Sequence, residues 1–456
     1  MQKKTKSKSV ILFLLAPFAC LAAQDAAVPV SDEDSSAEVL KLEDCIQRSL
    51  DNNPGILQAK STLERSQGTI IVARSQALPH VSINGTYTEL DKGKIDTFVG
   101  RSFLSPTDWQ TAINIEQLVY AGGRVKAGIA MAKLREDKTL LDFQKTVNDV
   151  LVAVRERFYD VLLTKQQIEV QKQSLELLKE AVKTAQSKFD AGTLPRYNVL
   201  RAEVELANAK PALIKAQNNY RLALDDLARL MGIQNRSKER KLPFLVEGKL
   251  EQIPFKIELK EALELAYQQR PETKSRAMQK EIQEKNIVVQ RAGLLPTFSA
   301  FGSYGYQKER FASPLDRTNQ GWTIGFKGSF PIFDGLETYG KVSEAREDLK
   351  LAGLQMDESS LNVEFEVRKA YSELLEAVLL IEASVKADEK AKEGLRQISS
   401  RFEVGAATQL EVLDARVAMT EAQLNSIEAL HDYNVALAHL KRATGSDNTY
   451  RYQSEE

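Results

Sequence analysis

The sequence is short of several things, and each shortage excludes a class of protein. It has only two cysteines in 456 residues, so no disulfide framework holds it. It has no charge excess, since 62 Lys and Arg stand against 63 Asp and Glu for a net charge of -1. A general nucleic-acid binder would carry a basic surplus, so no nucleic-acid partner is expected. Only one segment is apolar enough to consider as a membrane helix, and it is short, which excludes a polytopic helical membrane protein. The three histidines, His80, His431 and His439, are dispersed, and the last two lie eight apart on a predicted helix. No metal site and no cofactor are expected. Gly335-x-x-x-x-Gly340-Lys341 imitates a phosphate loop, but Val342 replaces the required Ser or Thr, so the segment reads as a strand-to-helix turn. No nucleophile–base constellation stands out, and no enzyme is expected. Aromatics make up 7% and mean hydropathy is -0.33. Taken alone, these figures describe a soluble, mostly helical protein.

Proline and glycine are missing over long stretches. No proline lies between Pro106 and Pro195 or after Pro331, and no glycine between Gly128 and Gly192. The spacing predicts a helix from about Val125 to Phe189, roughly 100 Å long at about 1.5 Å per residue. That is too long for a compact core and points to a coiled coil. The returning helix carries a seam of Ala202, Leu206, Ala209, Leu213, Ala216, Tyr220, Ala223, Leu227 and Leu230. A second seam runs Ala415, Met419, Ala422, Ser426, Ala429, Tyr433, Ala436, Leu440 and Ala443. Both keep the alternating four-and-three spacing of a and d positions. Pro211 predicts a local bend. The helix pairs turn at Gly192 and Gly405, where glycine stops a helix.

Lys3, Lys4, Lys6 and Lys8 precede the apolar run Val10–Ala23, which ends in Leu-Ala-Ala. Residues 1–23 therefore read as a secretory signal peptide and 24–39 as a flexible acidic leader. Cys20 raises lipidation as an option, but Pro17-Phe18-Ala19 lacks the leucine usual three residues before such a cysteine. Cys45 has no partner after cleavage and reads as a small buried apolar residue on a helix.

The chain is written twice. Pro54 and Pro79 recur as Pro271 and Pro296, an offset of 217, the difference between 271 and 54. Gly85 and Tyr87 recur as Gly302 and Tyr304. The offset then becomes 213, the difference between 322 and 109, and pairs Trp109 with Trp322, Gly122 with Gly335 and Arg155 with Arg368. It continues through Phe189 with Phe402, Tyr220 with Tyr433 and Gly232 with Gly445. One half thus has a loop four residues longer between Tyr87 and Trp109. The expected organisation is a first repeat over 40–240, a linker over 241–256, a second repeat over 257–445 and a tail over 446–456. Each repeat holds a short helix, a helix opened by Pro54 or Pro271, two strands and a long helical hairpin.

The strands alternate. Val81, Ile83 and Tyr87 share one face, as do Ile113 and Ile115, then Phe298, Ala300, Tyr304 and Tyr306, then Trp322, Ile324, Phe326 and Phe330. Segments of about 10 residues with this pattern fit a transmembrane β-barrel as well as a half-buried sheet. Four strands cannot close a barrel, and open edges are not tolerated in lipid. On the barrel reading several chains must share one wall.

Taken together, these residues resemble the TolC-like outer-membrane efflux proteins. The resemblance is carried by Arg401-Phe402-x-x-Gly405, Leu410-x-Val412-Leu413-Asp414-Ala415 and the seam to Gly445. The first half repeats it in Phe189-x-x-Gly192, Val199-Leu200-x-Ala202 and Gly232, with Leu78-Pro79, Leu295-Pro296 and Tyr120-x-Gly122-Gly123 at the strand ends. It covers about Leu40 to Gly445. It implies a mixed, mainly α fold: a duplicated helical coiled-coil barrel in the periplasm and a β-barrel in the outer membrane, to which each chain gives four strands. It implies a homotrimer that exports passively, joined through a periplasmic adaptor to an inner-membrane pump or ABC transporter. Small-molecule efflux is the leading cargo, type I protein secretion the alternative, and a pore-free periplasmic scaffold a more distant one. Ile113, Ile115, Tyr304, Trp322 and Phe326 would face outer-membrane lipid. Glu411, Asp414 and Phe402 would line the periplasmic entrance, with Asn198 and Arg201 at the first-half positions of the two acids. Ala407 stands where some members have an arginine.

Overall fold

The computed structural model describes residues 38–91, 93, 97–98, 101–102, 107–234, 244–308 and 317–446. The segment read as a signal peptide, Cys20, most of the expected leader and all but Ser446 of the expected tail lie outside the described residues. In chain order the elements are β1 (Glu38–Leu40), α1 (Leu42–Asn52), α2 (Pro54–Ser75), β2 (His80–Glu89), β3 (Thr97–Phe98), β4 (Arg101–Ser102), β5 (Thr107–Ala121), α3 (Arg124–Asp190) and α4 (Arg196–Leu230). The second repeat follows as β6 (Phe244–Val246), α5 (Leu259–Gln269), α6 (Pro271–Arg291), β7 (Thr297–Lys308), β8 (Thr318–Ser329), α7 (Glu337–Glu403) and α8 (Gln409–Thr444).

The duplication holds element by element. Both α3 and α7 have 67 residues, about 100 Å at the usual helical rise. Each pairs with its shorter return helix at one end, and with α2 or α6 at the other. Every seam residue on α4 and α8 is buried or half-buried. Helix α4 continues unbroken through Pro211. Helix α8 lies between α7 and α3, and its Leu430 packs against the cores of both repeats. Cys45 is fully buried on α1, and burial pushes its thiol up to about 12. The extra four residues of the first half fall where β3 and β4 form a small hairpin.

The segment joining the repeats is more structured than a linker. Phe244–Val246 pairs in parallel with Glu38–Leu40, so the last leader residues are also held. Leu40, Phe244 and Val246 are buried beside Phe158 and Leu227. Three residues are too few to print an alternating pattern, which is why neither strand was legible.

The four long strands form one antiparallel sheet in the order β2-β5-β7-β8. Strand β5 has 15 residues, longer than expected, because it runs past the end of β2 and continues along β7 through a bulge at Leu118/Tyr120. Ile83, Ile113, Tyr304 and Trp322 stand in one cross-strand row. Val81, Ile115, Ile324 and Phe326 extend the same face. The opposite face carries a row of Ser82, Asn114, Ser303 and Thr323. The apolar face is uncovered, with Phe326 84% exposed, and β2 and β8 each keep one unpaired edge. No helix among the described residues is long and apolar enough to cross a membrane.

Candidate functional site at the helical tips

The two hairpin turns lie at the end of the shaft remote from the sheet. Gly192 and Gly405 both take left-handed backbone, at φ 74° and 76°. Each donates its N–H to the phenylalanine three residues back, Phe189 or Phe402. Arg401 also donates to the Ala406 carbonyl at 3.1 Å, which braces the second turn.

The structure separates the three predicted entrance residues. Glu411 is exposed, but its carboxylate is engaged. It accepts from the Thr408 N–H at 2.6 Å and the Thr408 hydroxyl at 2.9 Å. The Glu411 N–H donates back to that hydroxyl, completing a capping box at the start of α8. The Thr408 N–H holds the Glu411 carboxyl below the usual carboxylate range. Asp414 is exposed in a groove of about 380 Å³ between α4 and α8, with its repeat counterpart Arg201 on the facing wall. Phe402 is half-buried, with the Lys188 ammonium 4.0 Å from its ring centre.

Around these residues a set of contacts ties one hairpin to the other. Lys188 on α3 also donates to the Phe402 carbonyl at 3.4 Å. Gln409, 8% exposed at the start of α8, donates to the Asn198 carbonyl on α4 at 3.1 Å. Arg416 on α8 donates to the Leu177 carbonyl of α3, and its Nε is buried without a partner. Burial weakens the Arg416 guanidinium's hold on its proton, and Glu180 opposes that only in part. Lys188, Phe402, Gln409 and Arg416 line a cavity of about 290 Å³ between the tips. Position 407 supplies no cation, but Lys188 of the other repeat does reach the tip at Phe402. None of these ties was anticipated, because each depends on how two hairpins distant in sequence sit side by side.

Higher on the shaft, α8 is fastened to α3 by three basic groups facing three acids. Arg442 meets Asp149 at 2.6 Å, His439 meets Glu156 and His431 meets Asp160 at 2.9 Å. Asp432 lies beside His431 and Glu373 of α7 beside His439. Arg157 pairs with Asp160 from the other side. Burial pulls the His431 ring down, but Asp160 and Asp432 together outweigh it and raise its pKa. Glu156 raises His439 against burial and the nearby Arg442. Both rings thus hold a proton more tightly in the fold than in the unfolded chain, where histidine titrates near about 6.5. Their stabilisation is complete below that value and is lost as pH rises through the raised folded pKa. The thermal midpoint should therefore fall between about pH 6 and pH 8, and His431→Gln/His439→Gln should flatten that slope. An unchanged slope in the double variant would refute the assignment.

A profile of the outer membrane efflux protein family matches residues 45–233 and 262–446. The chain belongs to this family. The family is one of outer-membrane export channels, so the sheet lies at the outer membrane and the helical shaft in the periplasm. The chain is 23% identical to the alkaline protease secretion protein AprF of Pseudomonas aeruginosa, over 91% of this chain and 85% of AprF. It is 21% identical to the outer membrane protein TolC of Vibrio cholerae, over 87% of this chain and 88% of TolC. Among solved structures it is similar to the Campylobacter jejuni CmeC outer membrane channel, with a TM-score of 0.78 at 18% identity, over 91% of this chain and 87% of that one. VceC from Vibrio cholerae gives 0.75 at 17% identity, over 89% and 96%. These likenesses agree with the efflux family's fold.

Proposed function

We propose that this efflux-family chain is one subunit of a homotrimeric duct through which small molecules leave the periplasm. The observation that supports it is a four-stranded sheet with one apolar face and two open edges, carried on a shaft about 100 Å long. Three copies give twelve strands, above the roughly 8 of the smallest bacterial barrels. Ile113, Ile115, Tyr304, Trp322 and Phe326 then face lipid, and the row of Ser82, Asn114, Ser303 and Thr323 faces a wet lumen. The tips with Phe402, Glu411 and Asp414 form the entrance and meet a periplasmic adaptor, through which an inner-membrane pump supplies the energy. Type I protein secretion is a second reading, favoured by the similarity to the protease secretion protein AprF over most of both chains. Deleting the gene separates the two. Sensitivity to dyes and detergents with normal secretion supports efflux, and loss of a secreted protein without such sensitivity supports secretion.

In planar bilayers the purified protein should form cation-preferring pores. Asp414→Asn should lower that preference more than Glu411→Gln, because Thr408 already engages the Glu411 carboxylate. No effect of Asp414→Asn would remove Asp414 from the entrance, and an effect no larger than that of Glu411→Gln would refute the part given to Thr408.

A further inference from the structure

Two residues break local rules. Leu336 is the one non-glycine residue at positive φ among those described, at 70°, a conformation unfavourable for an L-residue. Gly68 lies in the middle of α2, where glycine weakens a helix. A Cβ there would meet nothing within 4 Å.

The opposite repeat inverts both choices. Gly123, at φ 86°, stands where the second repeat has Leu336, and Lys285 stands where the first has Gly68. In mid-chain the turn that holds Gly123 lies on the helix that carries Lys285. The turn after β5 lies on the end of α6, where a Cβ at Gly122 would be 2.9 Å from the Leu295 Cβ. One at Gly123 would be 4.0 Å from the Val288 side chain. Lys285, Val288, Val289 and Ala292 are spaced as the four residues of a helical hole that receives a knob.

The corresponding halves at the two ends of the sheet are uncovered among the described residues. Leu336 is 66% exposed after β8, and nothing lies within 4 Å of a Cβ built at Gly335. Its turn is held by the Asp334 carboxylate, which accepts from the Leu336 N–H at 3.1 Å and the Thr338 N–H at 2.9 Å. On α2, which leads into β2 at the opposite edge, Ile71 and Val72 are 68% and 66% exposed. Gly68, Ile71, Val72 and Ser75 repeat the hole of α6 with its largest member removed.

We infer that Leu336 of one copy seats as a knob in the Gly68–Ile71–Val72–Ser75 hole of the next. The seam between copies then repeats the junction inside the chain with volume exchanged: a turn glycine and a helix lysine within, a turn leucine and a helix glycine between. The inference rests on the trimer reading and adds which residues set its register. It also accounts for a leucine in a conformation suited to glycine, since a glycine there would leave the hole empty.

The full-length protein tests it in the membrane. Leu336→Cys with Ile71→Cys should form disulfides between chains up to a covalent trimer on mild oxidation, and neither single variant should. Native Cys45 is buried and takes no part. Leu336→Gly should dissociate in SDS about tenfold faster or more than the parent, the loss of one buried leucine per seam. Gly68→Leu should block assembly, and Gly68→Leu/Leu336→Gly should restore it. A monomeric parent would remove the trimer reading itself. A trimeric parent with no cross-link, no faster dissociation in Leu336→Gly, or no rescue in the exchanged pair would overturn the knob alone.

Discussion

Lys188→Ala combined with Gln409→Ala should make the pore several-fold more conducting in planar bilayers. The Lys188 ammonium over the Phe402 ring contributes about 0.5–1 kcal/mol at a partly exposed site. The Gln409 bond to the Asn198 carbonyl adds about 1 kcal/mol. Neither is large alone. In a trimer each occurs at three equivalent sites, so a concerted opening breaks all of them at once. The sum is then about 5 kcal/mol, close to the roughly 5.5 kcal/mol that takes a two-state equilibrium from one side to the other. Single variants should give smaller, additive shifts. Arg416→Met provides the opposite sign. Its guanidinium is desolvated, with one carbonyl partner and an unpartnered Nε, so an apolar side chain of similar length should hold α8 against α3 at least as well. Conductance should fall or stay level in that variant. A rise in Arg416→Met, or no rise in the double variant, would show that these contacts do not govern the entrance.

Much of the architecture was legible because it rests on periodicity and punctuation. Pro54 and Pro271 open helices because a proline's missing N–H is harmless at that position. The seams from Ala202 and Ala415 are buried because a four-and-three spacing puts them on one side of a helix. The site was less legible, for two different reasons. The role of Glu411 had a signal in the sequence, since Thr408-x-x-Glu411 spells a capping box, and a reading that considered only its charge passed over it. Lys188, Gln409 and Arg416 had no such signal. Their partners are a ring or main-chain carbonyls on another hairpin, 211 residues away for Gln409 and 239 for Arg416, and a carbonyl has no residue type to recognise.

The repeat itself concealed the residue whose loss should cost the fold most. Arg270 and Asn53 occupy equivalent positions, each just before a proline that opens a helix. Asn53 solves the junction with neutral bonds. Its side chain accepts from the Gly55 N–H at 2.8 Å and donates to the Leu230 carbonyl at 2.7 Å. Arg270 solves it with charge. It is 3% exposed and pairs with Glu366 of α7 at 2.7 Å and with Glu272 of α6 at 3.2 Å. Arg442 joins the same acids from α8 and continues to Asp149 of α3, so one ionic chain links four helices. The first repeat has Gly55 and Ala153 at the positions of Glu272 and Glu366, so the Arg270 network has no counterpart at the first junction. Removing one partner of a buried ion pair leaves an uncompensated charge at about 3–5 kcal/mol. Arg270→Met should fall toward the low end, because Glu366 is half exposed and Arg442 remains within 3.8 Å of both acids. Arg270→Met/Glu366→Gln should recover part of the loss, as the orphaned carboxylate is gone. The measurement is the unfolding rate of the detergent-solubilised protein, since a large membrane assembly unfolds irreversibly. Asn53→Ala in the first repeat should be the milder change, near the 0.5–2 kcal/mol of a lost cap. If Arg270→Met unfolds no faster than Asn53→Ala, the ionic chain is surface decoration and the second repeat is held by its apolar seam alone.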